Sequence, residues 1–183
     1  MIYQQLGPLS FVTLWLAMGL LLLRRTDHSL SLSQHAGAER LTFLGFGTVS
    51  TLAAVGFSLY AYQWLIPTFG LPSLSYGIIS LAAAGQVTAA WTPHNPHHPL
   101  ASRIHGWGAY TMAVLMMVIA GLIAFTGTIA PIPHALSIGL TSCMMTMWLL
   151  FIFVPATRRH YLPWQISYIV AFQIQILIVT WYH

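Results

Sequence analysis

Long apolar runs separated by short polar connections fill almost the whole chain. A helix needs about 20 apolar residues to cross the ~30 Å hydrocarbon core of a bilayer. Six runs meet that length, over residues 3–23, 41–66, 72–91, 107–130, 135–154 and 163–182. None of the six contains Asp, Glu, Lys or Arg. The second is long enough to tilt or to project from the membrane. The pattern predicts an all-α, polytopic membrane protein: a bundle of six transmembrane helices forming one domain over residues 1–183.

The ends of the runs carry signals of their own. Proline stands at many of them (Pro67, Pro93, Pro131, Pro133, Pro155 and Pro163), where its missing N–H and its ring stop helices readily. Trp and Tyr cluster there too, as at Tyr60, Tyr62, Trp64, Trp91, Trp107, Trp164 and Trp181. Amphipathic rings of this kind favour headgroup depth. Small residues crowd the second, third and fourth runs, which predicts close helix packing in lipid. The first run has neither a basic leader nor a small-residue cleavage site after it. The Arg24–Arg25 pair that follows reads as a stop-transfer flank, not as part of a signal peptide.

Composition supports lipid as the main solvent. The chain is 57% hydrophobic and 4% charged, whereas soluble domains carry about 25% charged residues. So few charges could not clothe a water-facing surface. All six basic residues are Arg, and all lie in three connections: Arg24, Arg25 and Arg40 in the first, Arg103 in the third, Arg158 and Arg159 in the fifth. The second and fourth connections carry no charge. The positive-inside rule puts the Arg face in the cytoplasm, and six spans then place both termini outside. These arginines are the candidates for lipid headgroups or other anions. A formal charge of +4, tied to helix flanks, fits an anionic membrane surface and argues against nucleic acid. The expected location is the bacterial inner membrane.

Histidine is the anomaly of the composition. Seven of the nine histidines share the Arg face, with His134 and His183 on the other. Imidazole is a common ligand for zinc and copper. His94, His97 or His98, and His105 could supply three ligands, with His28 or His35 folding over. Pro96 and Pro99 break the helical spacing of His94 and His98, so this segment reads as an extended turn. Interfacial side chains bonded to headgroup phosphates account for the same residues, as does a proton-sensitive switch. Haem is disfavoured because no predicted helix interior contains a histidine.

Other chemistry is thin. Asp27, His28 and nearby serines suggest a catalytic triad, but they sit in no nucleophile elbow and are ordinary loop and cap residues. The one cysteine, Cys143, can form neither an intrachain disulfide nor a CxxC motif. The spans hold no carboxylate for a proton relay. Among their polar residues, Gln86 and Gln173 are expected to face other helices, since a buried amide needs partners.

Two short segments carry a family resemblance. Asp27–Ser31 follows the first run, and Thr92–Pro96 with His105 precedes the fourth. In these and in its layout the chain resembles a bacterial family of six-span membrane proteins of uncharacterised function, similar to the DRAM/Frag/Sfk group. The resemblance implies a lipid-facing role by analogy with eukaryotic relatives that act on or alongside membrane lipids. His94, His97 and His98 go beyond the family's pattern. Taken together, the sequence favours a non-catalytic protein that binds a lipid or amphiphile, or an accessory subunit of a membrane complex. The alternatives are a histidine-based metal-binding protein, such as a metal-dependent lipid hydrolase, and a metal or pH sensor. Expected partners are membrane lipids, other membrane subunits or a second copy of the chain.

Overall fold

The structure, a computed structural model, describes residues 2–24, 30, 32–92, 98–126 and 129–182, with backbone alone at 24, 33 and 158–161. Every element among the described residues is helical. In chain order they are α1 (Ile2–Arg24), α2 (Leu32–Gly37), α3 (Arg40–Tyr60), a π-helical turn (Ala61–Leu65) and α4 (Ile66–Phe69). Then come α5 (Leu74–Trp91), α6 (Pro99–Ala124), α7 (Pro131–Phe153), a 3-10 turn (Pro155–His160) and α8 (Tyr161–Trp181).

Five helices are long and apolar enough to cross a membrane: Ile2–Leu23, Arg40–Phe69, Pro99–Ala124, Pro131–Phe153 and Leu162–Trp181. The chain is therefore an all-helical integral membrane protein. α5, the third expected span, has 18 residues, or about 27 Å at 1.5 Å per residue. It is not among the five, since its serines, glycines, Thr88 and Gln86 dilute its apolar residues.

The helix faces are arranged for lipid. On α1, Leu9, Val12, Leu16, Leu20 and Leu23 are exposed and recur at three- and four-residue spacing. Ser10, Phe11, Met18 and Leu21 are buried on the opposite side. In water such a leucine stripe would seek a protein core; here its solvent is hydrocarbon, and polar and small groups turn inward.

Packing runs α1 on α3, α3 on α5, α5 on α6, α6 on α7 and α7 on α8, and α8 returns to α1. Side-chain bonds set the registers. Gln4 Nε2 donates to the Thr180 carbonyl at 2.9 Å, and Trp15 Nε1 donates to Gln173 Oε1, so α1 and α8 are antiparallel. Tyr168 donates to the Ala113 carbonyl at 2.6 Å and Gln175 to that of Ala120 at 2.8 Å, so α6 and α8 are parallel. α8 bonds to five neighbours, α1, α2, α3, α6 and α7, and is the most buried of the five membrane-length helices.

Three boundaries differ from those read in the sequence. The fourth run begins as a helix at Pro99, eight residues before Trp107, and ends at Ala124. Proline's fixed φ suits the first helical position, and the polar turns that follow continue the same helix. Arg103 and His105 therefore belong to α6 and not to the preceding connection, and Arg103 is exposed near the helix start. Pro67 does not end the second run, which continues to Phe69. The π turn ahead of it widens the helix, and the Ile66 N–H reaches back to the Ala61 carbonyl, which accommodates the proline ring. The helix stops instead at Gly70, whose φ of 57° is left-handed and closes the last turn through Leu71 N–H to the Ile66 carbonyl at 3.0 Å. Finally, Pro131 and Pro133 open α7 within its first turn, where the backbone N–H groups have no intrahelical partner to lose.

Candidate ligand cavity

A cavity of about 110 Å³ lies inside the bundle, walled by α1, α2, α3, α5, α6 and α8. Its lining on α3, α6 and α8 runs from the turns near the Arg-bearing connections to past the middle of each helix. Most of the wall is alanine, phenylalanine and methionine, including Ala53, Ala82, Ala109, Phe57, Phe172 and Met112. Among the described residues no Asp, Glu, Lys or Arg side chain lines it.

Small residues make room because the helices around the cavity already touch. The ring of Trp91 covers Gly47, and the ring of Tyr60 covers Gly7, each with no space for a Cβ. Aromatic packing stiffens one side of the wall. Phe57 stacks on Phe11 at 5.7 Å between ring centroids and meets the edge of Phe172 at 5.7 Å.

Three glutamines and a histidine are set into this wall, and their partners fix the orientation of each. The indole of Trp15 can only donate, so the amide oxygen of Gln173 faces it. Gln173 is 4% exposed, and its Nε2 hydrogens meet no acceptor among the described residues. Gln86 presents Nε2 to the Ser50 carbonyl at 3.1 Å, which leaves its Oε1 without a donor among the described residues. Gln165 Oε1 accepts the Leu32 backbone N–H at 3.2 Å and so ties α2 to the start of α8. His105, 9% exposed, donates Nδ1–H to the Ala89 carbonyl at 2.9 Å, because a carbonyl can only accept.

The structure thus brings Gln86, Gln173 and His105 to one cavity, whose lining does not include His35 or His98. His98 is exposed at the N-cap of α6, and His35 is buried in α2. Among the described residues no three His, Cys, Asp or Glu side chains gather as metal ligands would. His28, His94 and His97 lie outside the described residues. The premise that no helix interior holds a histidine fails: His105 is buried within α6, because that helix starts earlier than its hydropathy indicates. Arg40 and Arg103 are exposed; Arg25 lies outside the described residues, and Arg24, Arg158 and Arg159 are described by backbone alone. The two segments that carry the family resemblance fall largely outside the described residues as well.

The sequence alone does not mark Trp15 or Gln165, and it marks Ser50 only as one of the small packing residues of the second run. Trp15 left one signal, since it stands in the middle of α1 and not at a membrane interface. An indole at that depth needs an acceptor from another helix. Comparison with protein-family models, with curated proteins and with solved structures finds no match to this chain.

Proposed function

We propose that the protein binds a lipid or other amphiphile non-catalytically in the cavity between its helices. The observation that carries this reading is the wall itself: apolar, uncharged, and set with amide groups whose hydrogen-bonding capacity is only half used. Such a wall suits an acyl or ring segment with a small uncharged polar group. In this reading α5 is a sixth span. Its support is that α5 bonds along the second membrane-length helix, through Ser80 with Tyr62 of the π turn at 2.5 Å and through Trp91 with Thr51 of α3 at 2.9 Å. The Arg-bearing connections face the cytoplasm of a bacterial inner membrane, as charge bias favours.

The test is retention of an amphiphile. Protein purified in mild detergent, examined by native mass spectrometry, should carry a bound amphiphile. Ala83→Leu, which adds volume to the wall, should abolish retention, whereas Ala84→Leu on the exposed side of α5 should not. Equal retention by both variants, or none by the parent protein, would remove the cavity from consideration as a lipid site.

A further inference from the structure

The cavity's polar groups specify the head of the ligand, and this inference rests on the amphiphile reading above. We infer that the site selects an uncharged, single-chain or ring-headed amphiphile bearing a carbonyl oxygen, which accepts a hydrogen bond from Gln173 Nε2.

Three observations lead there. The first is the unused donor. Trp15 fixes the Gln173 amide with its oxygen turned to the indole, and the Nε2 hydrogens of this 4% exposed residue meet no acceptor among the described residues. The Nε2 atom is not sealed off, as the unpartnered Ser75 and Ser137 hydroxyls are; it opens onto the cavity, where an acceptor can reach it. At a residue lining a cavity, the missing acceptor is the ligand's. Gln86, on the same wall, offers the complementary group, an Oε1 without a donor. A head that carries a carbonyl together with an N–H or hydroxyl would satisfy both amides.

The second observation is the absence of charge. Among the described residues no Asp, Glu, Lys or Arg lines the wall. A carboxylate or phosphate drawn into it would lose its hydration with no cation to offset the loss, a cost of several kcal/mol. An uncharged carbonyl meets only a modest penalty, offset by the amide hydrogens.

The third is size. A volume of about 110 Å³ is below the ~150 Å³ of an engineered protein cavity that holds benzene. One ring or a short length of one chain fits within it, but not a glycerol backbone with the start of two chains; the rest of a longer chain leaves through the pocket's open side.

The experiment uses ligands with one chain and different heads. Radiolabelled oleamide is bound to the detergent-solubilised full-length protein, and oleamide, oleate and octadecene compete, at a pH where oleate is ionised. Oleamide should compete best, octadecene about 30-fold more weakly for want of two neutral hydrogen bonds, and oleate about 100-fold more weakly. Because Gln173→Leu alone would strand the Trp15 indole, the informative comparison is Trp15→Phe against Trp15→Phe/Gln173→Leu. Both should melt alike, and the preference for oleamide over octadecene should be about five-fold smaller in the double variant, which keeps only the Gln86 acceptor. Oleate or a phospholipid competing as well as oleamide, or a double variant with the same preference for oleamide as Trp15→Phe, would overturn the head-group inference while leaving the amphiphile reading intact. No saturable binding of any of these probes would overturn both.

Discussion

A Cβ placed on Gly85 would stand 2.7 Å from the carbonyl oxygen of Gly108, and one placed on Gly108 would stand 2.8 Å from the carbonyl oxygen of Gly85. The contact is reciprocal: the backbones of α5 and α6 touch where these two glycines cross. In lipid, where apolar area drives no association, such approach is what holds two helices together. One turn away, His105 meets the Ala89 carbonyl, so the crossing also sets the cavity's histidine.

Gly85→Val should therefore force the two helices apart. Overpacking of this kind costs about 1–3 kcal/mol, and the melting temperature in detergent should fall accordingly. Gly77→Ala and Gly121→Ala lie on the same two helices with nothing near the added methyl. Those two should melt at or slightly above the parent temperature. If all three variants behave alike, the crossing does not carry the α5–α6 contact.

A second prediction concerns Tyr60 and Thr180, both fully buried, whose hydroxyls lie 2.7 Å apart. Thr180 donates its single hydroxyl hydrogen to the Ile176 carbonyl at 2.6 Å, so Tyr60 must be the donor in the pair. The two truncations are then unequal. Tyr60→Phe removes one neutral hydrogen bond, worth about 0.5–1.5 kcal/mol, and leaves Thr180 still bonded. Thr180→Val strands the Tyr60 hydroxyl in the core and should cost about 1–3 kcal/mol. The double variant, with both hydroxyls gone, should be less destabilised than Thr180→Val alone. Thermal unfolding of the three variants in one detergent tests the order.

These contacts show how far the sequence reaches. The helical membrane bundle is legible in the apolar runs, because their length alone answers to bilayer thickness. Helix starts are less so: hydropathy stops at the first charge, while the α6 backbone continues through Arg103 and His105 to Pro99. The six-residue α2 is too short to leave a period. The cavity is the least legible feature, since its wall draws on six helices and no local spacing records that Gln86, His105 and Gln173 meet. The histidines stand out by their number, yet the cavity's unspent hydrogen-bonding capacity among the described residues lies on Gln86 and on Gln173, whose partner Trp15 is 158 positions away in sequence.

A third prediction follows from α2, whose Leu32, His35 and Ala36 are buried against the bundle. Leu32 lines the cavity, and its N–H is held by Gln165, which lines it too. Gln165→Ala removes that tie without touching the apolar contacts. Amide hydrogen exchange over residues 32–37 should accelerate, while exchange in α7 stays as in the parent protein. Because α2 covers part of the cavity, a bound amphiphile should also leave faster. Unchanged exchange over residues 32–37 would mean that burial of Leu32 and Ala36 alone holds α2 in place.

The last prediction tests the number of spans and their direction together. Cys143 is exposed on α7 and must first be replaced, as Cys143→Ala, so that single cysteines can be introduced. Ala38, Ser73, Leu100 and Ile132 are all exposed and stand at or near the ends of α2, α5, α6 and α7. Six alternating spans put Ala38→Cys and Leu100→Cys on the Arg face, and Ser73→Cys and Ile132→Cys on the other. An impermeant maleimide added outside intact cells should then label only the second pair. If α5 does not cross the membrane, positions 73 and 100 must share a side, and they would label together. Full inversion, with positions 38 and 100 labelled from outside, would keep the six spans and reject the cytoplasmic placement of the arginines. The two questions separate because span count fixes which positions agree, while the charge bias of the Arg connections fixes only which pair faces out.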